Sequence, residues 1–194
     1  MPFPTPSIGP DVRLDGAAYV HPSACIYGDV AFAEGSSVWL GVSIRAEMFD
    51  VRVGPWTNVQ DQVVVHVGGK TGTRIGAWCS LAHRVTVHGC TIGDNVLVGI
   101  GATIMDDCVV GDNCIVAGHA FLKEGTIVPP NSIVMGAPAV VRATRDNRIA
   151  NRMNAWIYWR NAQAYAKGDF RLWSRPAFEA ERAAELKRLL DGGV

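Results

Sequence analysis

Aliphatic residues recur at every sixth position along much of the chain. From residue 92 the repeating positions are Ile92, Val98, Ile104, Val110, Val116, Leu122 and Val128. The same spacing occurs earlier in shorter runs that begin at Val20, Val53 and Ile75. A period of six does not fit the 3.6 residues per turn of a helix, and Asn-Gly or Asp-Gly hairpin turns do not separate the runs. We therefore expect short strands, each with one inward aliphatic residue, that follow the three sides of a prism.

Three six-residue sides make one coil of 18 residues, and successive coils stack at the spacing of neighbouring strands, about 4.8 Å. We assign residues 20–140 to these coils and residues 1–19 to an N-terminal cap segment. Residues 141–194 change to helical spacing, and a second helix begins near Pro176. The predicted fold class is mainly β: a parallel β-helix of hexapeptide repeats with C-terminal α-helices packed on it.

Composition limits the partners of this fold. The 18 Lys and Arg residues balance the 18 Asp and Glu residues, so nothing indicates a nucleic-acid surface. No apolar run reaches the length of a membrane span, and the first ten residues lack the features of a signal peptide. Five cysteines without a CxxC motif are typical of reduced thiols. We expect a cytoplasmic protein with no nucleic-acid or membrane partner.

Breaks in the six-residue spacing determine which side of the prism each residue occupies. Counting three sides per coil places Arg45, His66 and His88 directly after the inward residue of one side, here named the first side, in three successive coils. They form an outward ladder with steps of about 4.8 Å. Asp61 and His83 each lie two residues after the inward residue of the third side and form a separate ladder. Three of the chain's five histidines therefore fall on these two ladders.

This arrangement predicts a metal centre. Two neutral imidazoles one step apart, His66 and His88, can share an ion with Zn–N bonds of about 2.0–2.1 Å. His83 is the remaining candidate for a third ligand, but it lies on a different outward side of the prism. The simplest solution is a neighbouring subunit that presents its third side to the first side, and such a head-to-tail contact closes as a ring. We therefore expect a homotrimer with three shared sites.

The segments "IRAE", "TNVQDQVVVH" and "HRVTVHGCTIGDNVLVGIGA" resemble the γ-class carbonic anhydrases, which are hexapeptide-repeat proteins. The resemblance covers about residues 10–165 and implies a β-helix of left-handed form. It implies that His66 and His88 of one subunit and His83 of its neighbour bind Zn²⁺; Fe²⁺ and Co²⁺ also suit imidazole ligands. It further implies that Arg45 pairs with Asp61 across the subunit interface.

The resemblance also implies a reaction, the reversible hydration of CO2 to bicarbonate by a metal-bound hydroxide. In this family the residue matching Gln60 orients the metal-bound water, and the residue matching Asn58 lines the site. The best-known active member exports protons through acidic residues, one near the arginine motif and one in a loop. Here Glu47 replaces the usual Asp, Met48 stands at the position of one of these acids, and the loop "GGKTGT" has no carboxylate. We therefore expect slow CO2 hydration that is limited by proton transfer.

Other classes of function remain open from the sequence. Hexapeptide-repeat proteins include acyltransferases that use a lone histidine as general base, and His119 is the candidate here. Some relatives are associated with metal-dependent hydrolysis of acyl-CoA thioesters. The chain is also compatible with a non-catalytic assembly subunit whose C-terminal helices dock a partner. Metal content distinguishes an acyltransferase from a metalloenzyme. Turnover by protein with bound metal distinguishes an enzyme from an assembly subunit.

Overall fold

The computed structural model describes residues 7–14 and 16–192, which form a coiled stack of short strands followed by helices. The strands in chain order are β1 (Tyr19–Val20), β2 (Cys25–Phe32), β3 (Ser37–Val38), β4 (Ser43–Val53), β5 (Asn58–Val59), β6 (Val64–His66), β7 (Thr73–Ile75), β8 (Ser80–Leu81), β9 (Thr86–His88), β10 (Thr91–Ile92), β11 (Leu97–Val98), β12 (Thr103–Ile104), β13 (Val109–Val110), β14 (Ile115–Val116), β15 (Phe121–Leu122), β16 (Ile127–Val128), β17 (Ser132–Gly136) and β18 (Ala139–Thr144). The helices are α1 (Arg148–Tyr165), a 3-10 helix (Leu172–Ser174) and α2 (Pro176–Gly192).

Three series of hydrogen-bonded strands form the sides of the prism. The third side is the sheet β1-β3-β5-β8-β11-β14-β17-β18, which is parallel except for its last pair. The first side runs β15-β12-β9-β6 to the start of β4, and the second side runs from the end of β4 through β7-β10-β13-β16. Strand β2 pairs with β4 on both sides, and isolated bridges join Ile8 and Arg13 to β2. The predicted fold class, a mainly β parallel β-helix with C-terminal helices, is confirmed.

The inward residues of all three sides fill one continuous core. Ile44, Val65 and Val87 are inward on the first side, and each is at most 1 % exposed. Full burial of such a side chain contributes about 1.5–3 kcal/mol. The inward cysteines are also buried and free, and burial raises the pKa of the Cys79 thiol to about 12. Because the core fills the prism, an outward residue cannot reach another side through the interior.

Asparagines at one corner join the coils to α1. Asn95, Asn113 and Asn131 all have positive φ, a conformation that asparagine adopts more readily than most residues. Asn95 Nδ2 donates to Asn113 Oδ1 at 2.9 Å. From α1, Asn151 Nδ2 donates to the carbonyl oxygens of Asn95 and Cys114, at 2.9 and 3.0 Å. These contacts hold α1 against the corner in a defined register.

Helix α1 lies along the third side, where it contacts β1, β3, β5 and β8. It begins at Arg148, and three residues separate it from the end of β18 at Thr144. Trp156 of α1 is buried and stacks on Phe178 of α2, with ring centroids 6.0 Å apart. None of the described helices is both long and apolar enough to cross a membrane. Because the strands that α1 contacts belong to the third side, these contacts leave the outward ladder of the first side uncovered.

Candidate metal centre

Arg45, His66 and His88 lie side by side on the first side of the prism. The parallel register pairs Arg45 of β4 with His66 of β6, and His66 with His88 of β9. This register agrees with the ladder expected from the sequence. The two imidazole rings have centroids 5.0 Å apart, and His66 Nδ1 lies 3.0 Å from His88 Nε2.

A carboxylate holds the other nitrogen of each of these two rings. His66 Nε2 is 3.0 Å from Glu47 Oε2, and His88 Nδ1 is hydrogen-bonded to Asp106 Oδ1. An ionised carboxylate only accepts hydrogen bonds, so the ring nitrogens that face the carboxylates are the donors. When both rings are neutral, the lone pairs of His66 Nδ1 and His88 Nε2 face each other, and a cation between them stabilises this arrangement. Two nitrogens that bind one ion tetrahedrally at about 2.0–2.1 Å lie about 3.3 Å apart, so this donor pair fits a metal ion.

Glu47 also forms an ion pair with Arg45. Partial desolvation acts to raise the pKa of Glu47, but the hydrogen bond with His66 and the charge of Arg45 outweigh it and lower that pKa below its usual value. Glu47 is therefore ionised at neutral pH and bridges Arg45 and His66. Both partners belong to the same chain as Glu47.

His83 lies at the corner between the third and the first side, in the turn after β8. Its Nδ1 is 3.0 Å from Oδ2 of Asp61, which occupies the same corner one coil earlier. The side chain of His83 is 41 % exposed. Tyr158 of α1 places its hydroxyl oxygen 3.5 Å from His83 Nε2. Burial, with a smaller effect of Asp61, raises the pKa of Tyr158 to about 12, so its hydroxyl is neutral.

The fold brings together only part of the predicted ligand set within one chain. His66 and His88 are in contact, whereas His83 contacts Asp61 and Tyr158 instead. Across residues 7–14 and 16–192, no cluster of three or more His, Cys, Asp or Glu side chains could hold a metal ion. The sharing of a centre between subunits stays a prediction.

Asn58 and Gln60 are both buried, Asn58 in β5 on the third side and Gln60 directly after that strand. Gln60 Nε2 donates to Asn58 Oδ1 at 2.9 Å. Asn58 Nδ2 in turn donates to Ser80 Oγ at 2.9 Å and to the Cys79 carbonyl at 3.2 Å. This chain of amide contacts holds Gln60 beside Asp61 in one orientation.

The predicted pair of Arg45 and Asp61 does not form within a chain. Arg45 pairs with Glu47, and Asp61 pairs with His83. The two residues lie on different sides of the prism, so their contact stays a prediction for an interface between chains.

His119 lies apart from the first-side ladder of Arg45, His66 and His88, at an exposed corner where its φ is +57°. Its ring packs over Gly101 of the adjacent coil, where an added Cβ would lie 2.7 Å from the ring. Within the described part of the chain, no hydrogen bond or ion pair to its ring is found. It therefore lacks the carboxylate partner that His66, His83 and His88 each have.

Two residues near the histidines were not predicted from the sequence. Asp106 holds His88, and Tyr158 approaches His83. A signal for Asp106 does exist, because it follows the inward Ile104 by two residues, as His83 follows Leu81. Tyr158 has no such signal, since its position depends on how α1 docks.

Comparison with known proteins places the chain in a family. The family description "Bacterial transferase hexapeptide (six repeats)" matches residues 89–124. The chain is 36 % identical over 145 residues to the carnitine operon protein CaiE of Escherichia coli, covering 73 % of each chain. It is 39 % identical over 99 residues to gamma carbonic anhydrase 2, mitochondrial, of Arabidopsis thaliana, covering 48 % of this chain. The chain belongs to the hexapeptide-repeat family that includes the γ carbonic anhydrases.

A solved structure supports the same fold. The hexapeptide transferase family protein from Anaplasma phagocytophilum is 29 % identical and superimposes with a TM-score of 0.75, over 79 % of this chain and 92 % of that one. The match to the Arabidopsis protein spans 36 % of that protein's length. The relatives therefore include proteins named for two chemistries, carbonic anhydrase and transferase.

Proposed function

We propose that the chain is a γ-type carbonic anhydrase that reversibly hydrates CO2 to bicarbonate at metal centres shared between the subunits of a cytoplasmic homotrimer. The observation that carries this proposal is the pair of His66 and His88, whose facing nitrogens are 3.0 Å apart and whose other nitrogens are held by carboxylates. Carboxylate-held histidines are typical of metal ligands. Relatives named as γ carbonic anhydrases support the same chemistry.

The third ligand comes from a corner of the neighbouring subunit in this proposal. Helix α1 covers part of the third side, so a neighbour cannot dock flat against that side as the sequence suggested. The side chain of His83 is 41 % exposed at the corner. Asp61 holds its Nδ1, and its Nε2, 3.5 Å from the Tyr158 hydroxyl oxygen, is the nitrogen that would bind the metal. The docked corner would bring Asp61 close to the neighbour's first-side ladder, where Arg45 lies.

Each residue around the centre has a separate task in the proposed reaction. A bound Zn²⁺, or Fe²⁺ or Co²⁺ in its place, supplies Lewis acidity that makes water a nucleophile near neutral pH. Gln60 is fixed by Asn58 and orients the attacking water through a hydrogen bond. Arg45 provides positive charge near the bicarbonate that forms.

The segments around Glu47 and after His66 offer few carboxylates that could carry a proton from the site to solvent. Glu47 is bound to both Arg45 and His66, which keeps its carboxylate at the ladder. Met48 follows it and is 72 % exposed, and residues 68–73 contain no carboxylate. We therefore expect buffer to take part in proton removal.

The test pairs metal analysis with CO2 hydration on one sample. Protein purified without oxygen is expected to contain about one Zn²⁺, Fe²⁺ or Co²⁺ per chain and to hydrate CO2 in a stopped-flow assay. His66→Ala should lose both properties, whereas His119→Ala, at an exposed corner outside the ladder, should keep both. Fully metallated protein without CO2 hydration would contradict the proposal, and acyl-CoA hydrolysis by that sample would favour a thioesterase. Metal-free protein that transfers acyl groups would favour an acyltransferase, and intact, metal-free protein without turnover would favour an assembly subunit.

A further inference from the structure

We infer that Asp106 is a positioning residue that holds His88 in the tautomer and orientation needed to bind a metal ion. The inference rests on the proposed function, since it treats His88 as a ligand. Asp106 comes 18 residues after His88, in the turn that follows β12 one coil further along the prism. Its carboxylate reaches back to the previous coil and accepts a hydrogen bond from His88 Nδ1.

The backbone around Asp106 is shaped to admit this carboxylate. A Cβ at Gly89 would lie 2.6 Å from Asp106 Oδ1 and 2.7 Å from the Cα of Gly68, which is closer than real Cβ atoms approach. Gly89 also has a φ of +52°, a conformation that favours glycine. A Cβ at Gly68 would lie 3.1 Å from the same carboxylate oxygen. The two glycines therefore leave the space in which Asp106 meets His88.

The position of Asp106 is also held by its own backbone. Its carbonyl oxygen accepts a hydrogen bond from the amide of Gly125 at 2.8 Å, one coil further on. The next residue, Asp107, donates its amide to the Gly89 carbonyl at 2.9 Å. Both neighbouring coils therefore fix the turn, and the side chain of Asp106 needs little further ordering to reach His88.

The chemical consequence concerns the opposite nitrogen of the ring. With its proton held at Nδ1 by Asp106, neutral His88 has its lone pair at Nε2. That nitrogen faces His66 Nδ1 at 3.0 Å. Without Asp106 the proton is free to occupy Nε2, where it blocks coordination. Removal of such partners of ligating histidines typically weakens metal binding by about 10–100-fold.

Asp106→Ala and Asp106→Asn test the inference, with Asp107→Asn as the matched control. The control removes the same charge one residue away, and asparagine tolerates the φ of +59° at that position. The tautomer of His88 is read by long-range ¹H–¹⁵N NMR on metal-free trimer labelled with ¹⁵N-histidine. Zn²⁺ affinity is measured by competition with a chelator, and circular dichroism checks that each variant is folded.

We expect wild-type protein and Asp107→Asn to show the proton on Nδ1 of His88. Asp106→Ala should move the His88 signals towards the other tautomer and weaken Zn²⁺ binding about 10–100-fold, with a smaller effect for Asp106→Asn. Unchanged His88 signals in folded Asp106→Ala overturn the inference, whatever the metal affinity. Wild-type protein that binds no metal would contradict the proposed function instead, and the tautomer comparison would still decide whether Asp106 positions His88.

Discussion

Mixed trimers of two inactive variants test whether the metal centre is shared between subunits. His66 contacts His88 within one chain, whereas His83 lies at a separate corner of the prism. His66→Ala and His83→Ala should each abolish metal binding as pure trimers, because each removes one of three ligands. Co-expression should restore part of it. A shared site is intact only where the subunit supplying His66 and His88 carries the His83 change and its neighbour carries the His66 change.

The expected recovery follows from counting interfaces. With equal, random mixing in a closed cyclic trimer, each of the two conditions is met half the time, so about one quarter of the interfaces are intact. The whole co-expressed trimer population, shown by native mass spectrometry to contain both variants, should therefore hold about a quarter of the wild-type metal by elemental analysis. Co-expression of His66→Ala with His88→Ala is the control. If one subunit supplies both His66 and His88, every chain in this mixture lacks one of the two ligands and no metal is recovered. Intact sites would form in this mixture only if different chains supplied those two ligands. Recovery in the control, or none in the test mixture, would refute the assignment of ligands to subunits.

Three further predictions concern the interface, the proton pathway and the core. In the proposed trimer, Arg45→Ala should shift the assembly towards monomer in analytical ultracentrifugation, because the predicted pair with Asp61 would be buried at the interface, and breaking such a pair costs about 3–5 kcal/mol. Arg13→Ala, which breaks an exposed pair, should leave the assembly unchanged. An intact Arg45→Ala trimer with unchanged thermal stability would argue against the pairing. CO2 hydration should rise with the concentration of an imidazole buffer, and a fast, buffer-independent rate would show that a group in the protein exports the proton. Leu81→Ala should lower the free energy of unfolding by about 2–5 kcal/mol in denaturant titration, because Leu81 is fully buried. Ile127→Ala, at a position 74 % exposed, should change it by less than about 0.5 kcal/mol. Equal losses of stability in the two variants would contradict the assignment of Leu81 to the core.

The sequence by itself determined the fold class and the ladder on the first side. Each strand of a parallel β-helix pairs with the strand one coil away, so residue spacing and its breaks suffice to decide which outward residues become neighbours. Arg45, His66 and His88 could be aligned in this way, and the observed register pairs them as expected. The inward positions followed from the same count, because one aliphatic residue per side must fill the interior.

Only the tertiary structure decided which side chains meet around the histidines. The bonds of Glu47 to His66 and of Asp106 to His88 depend on side-chain rotamers and on the path of the chain at the corners, which a six-residue period does not specify. The contact of Tyr158 with His83 joins residues 75 positions apart. It exists because α1 docks on the third side, and that docking depends on packing between separate surfaces and not on the repeat within either of them.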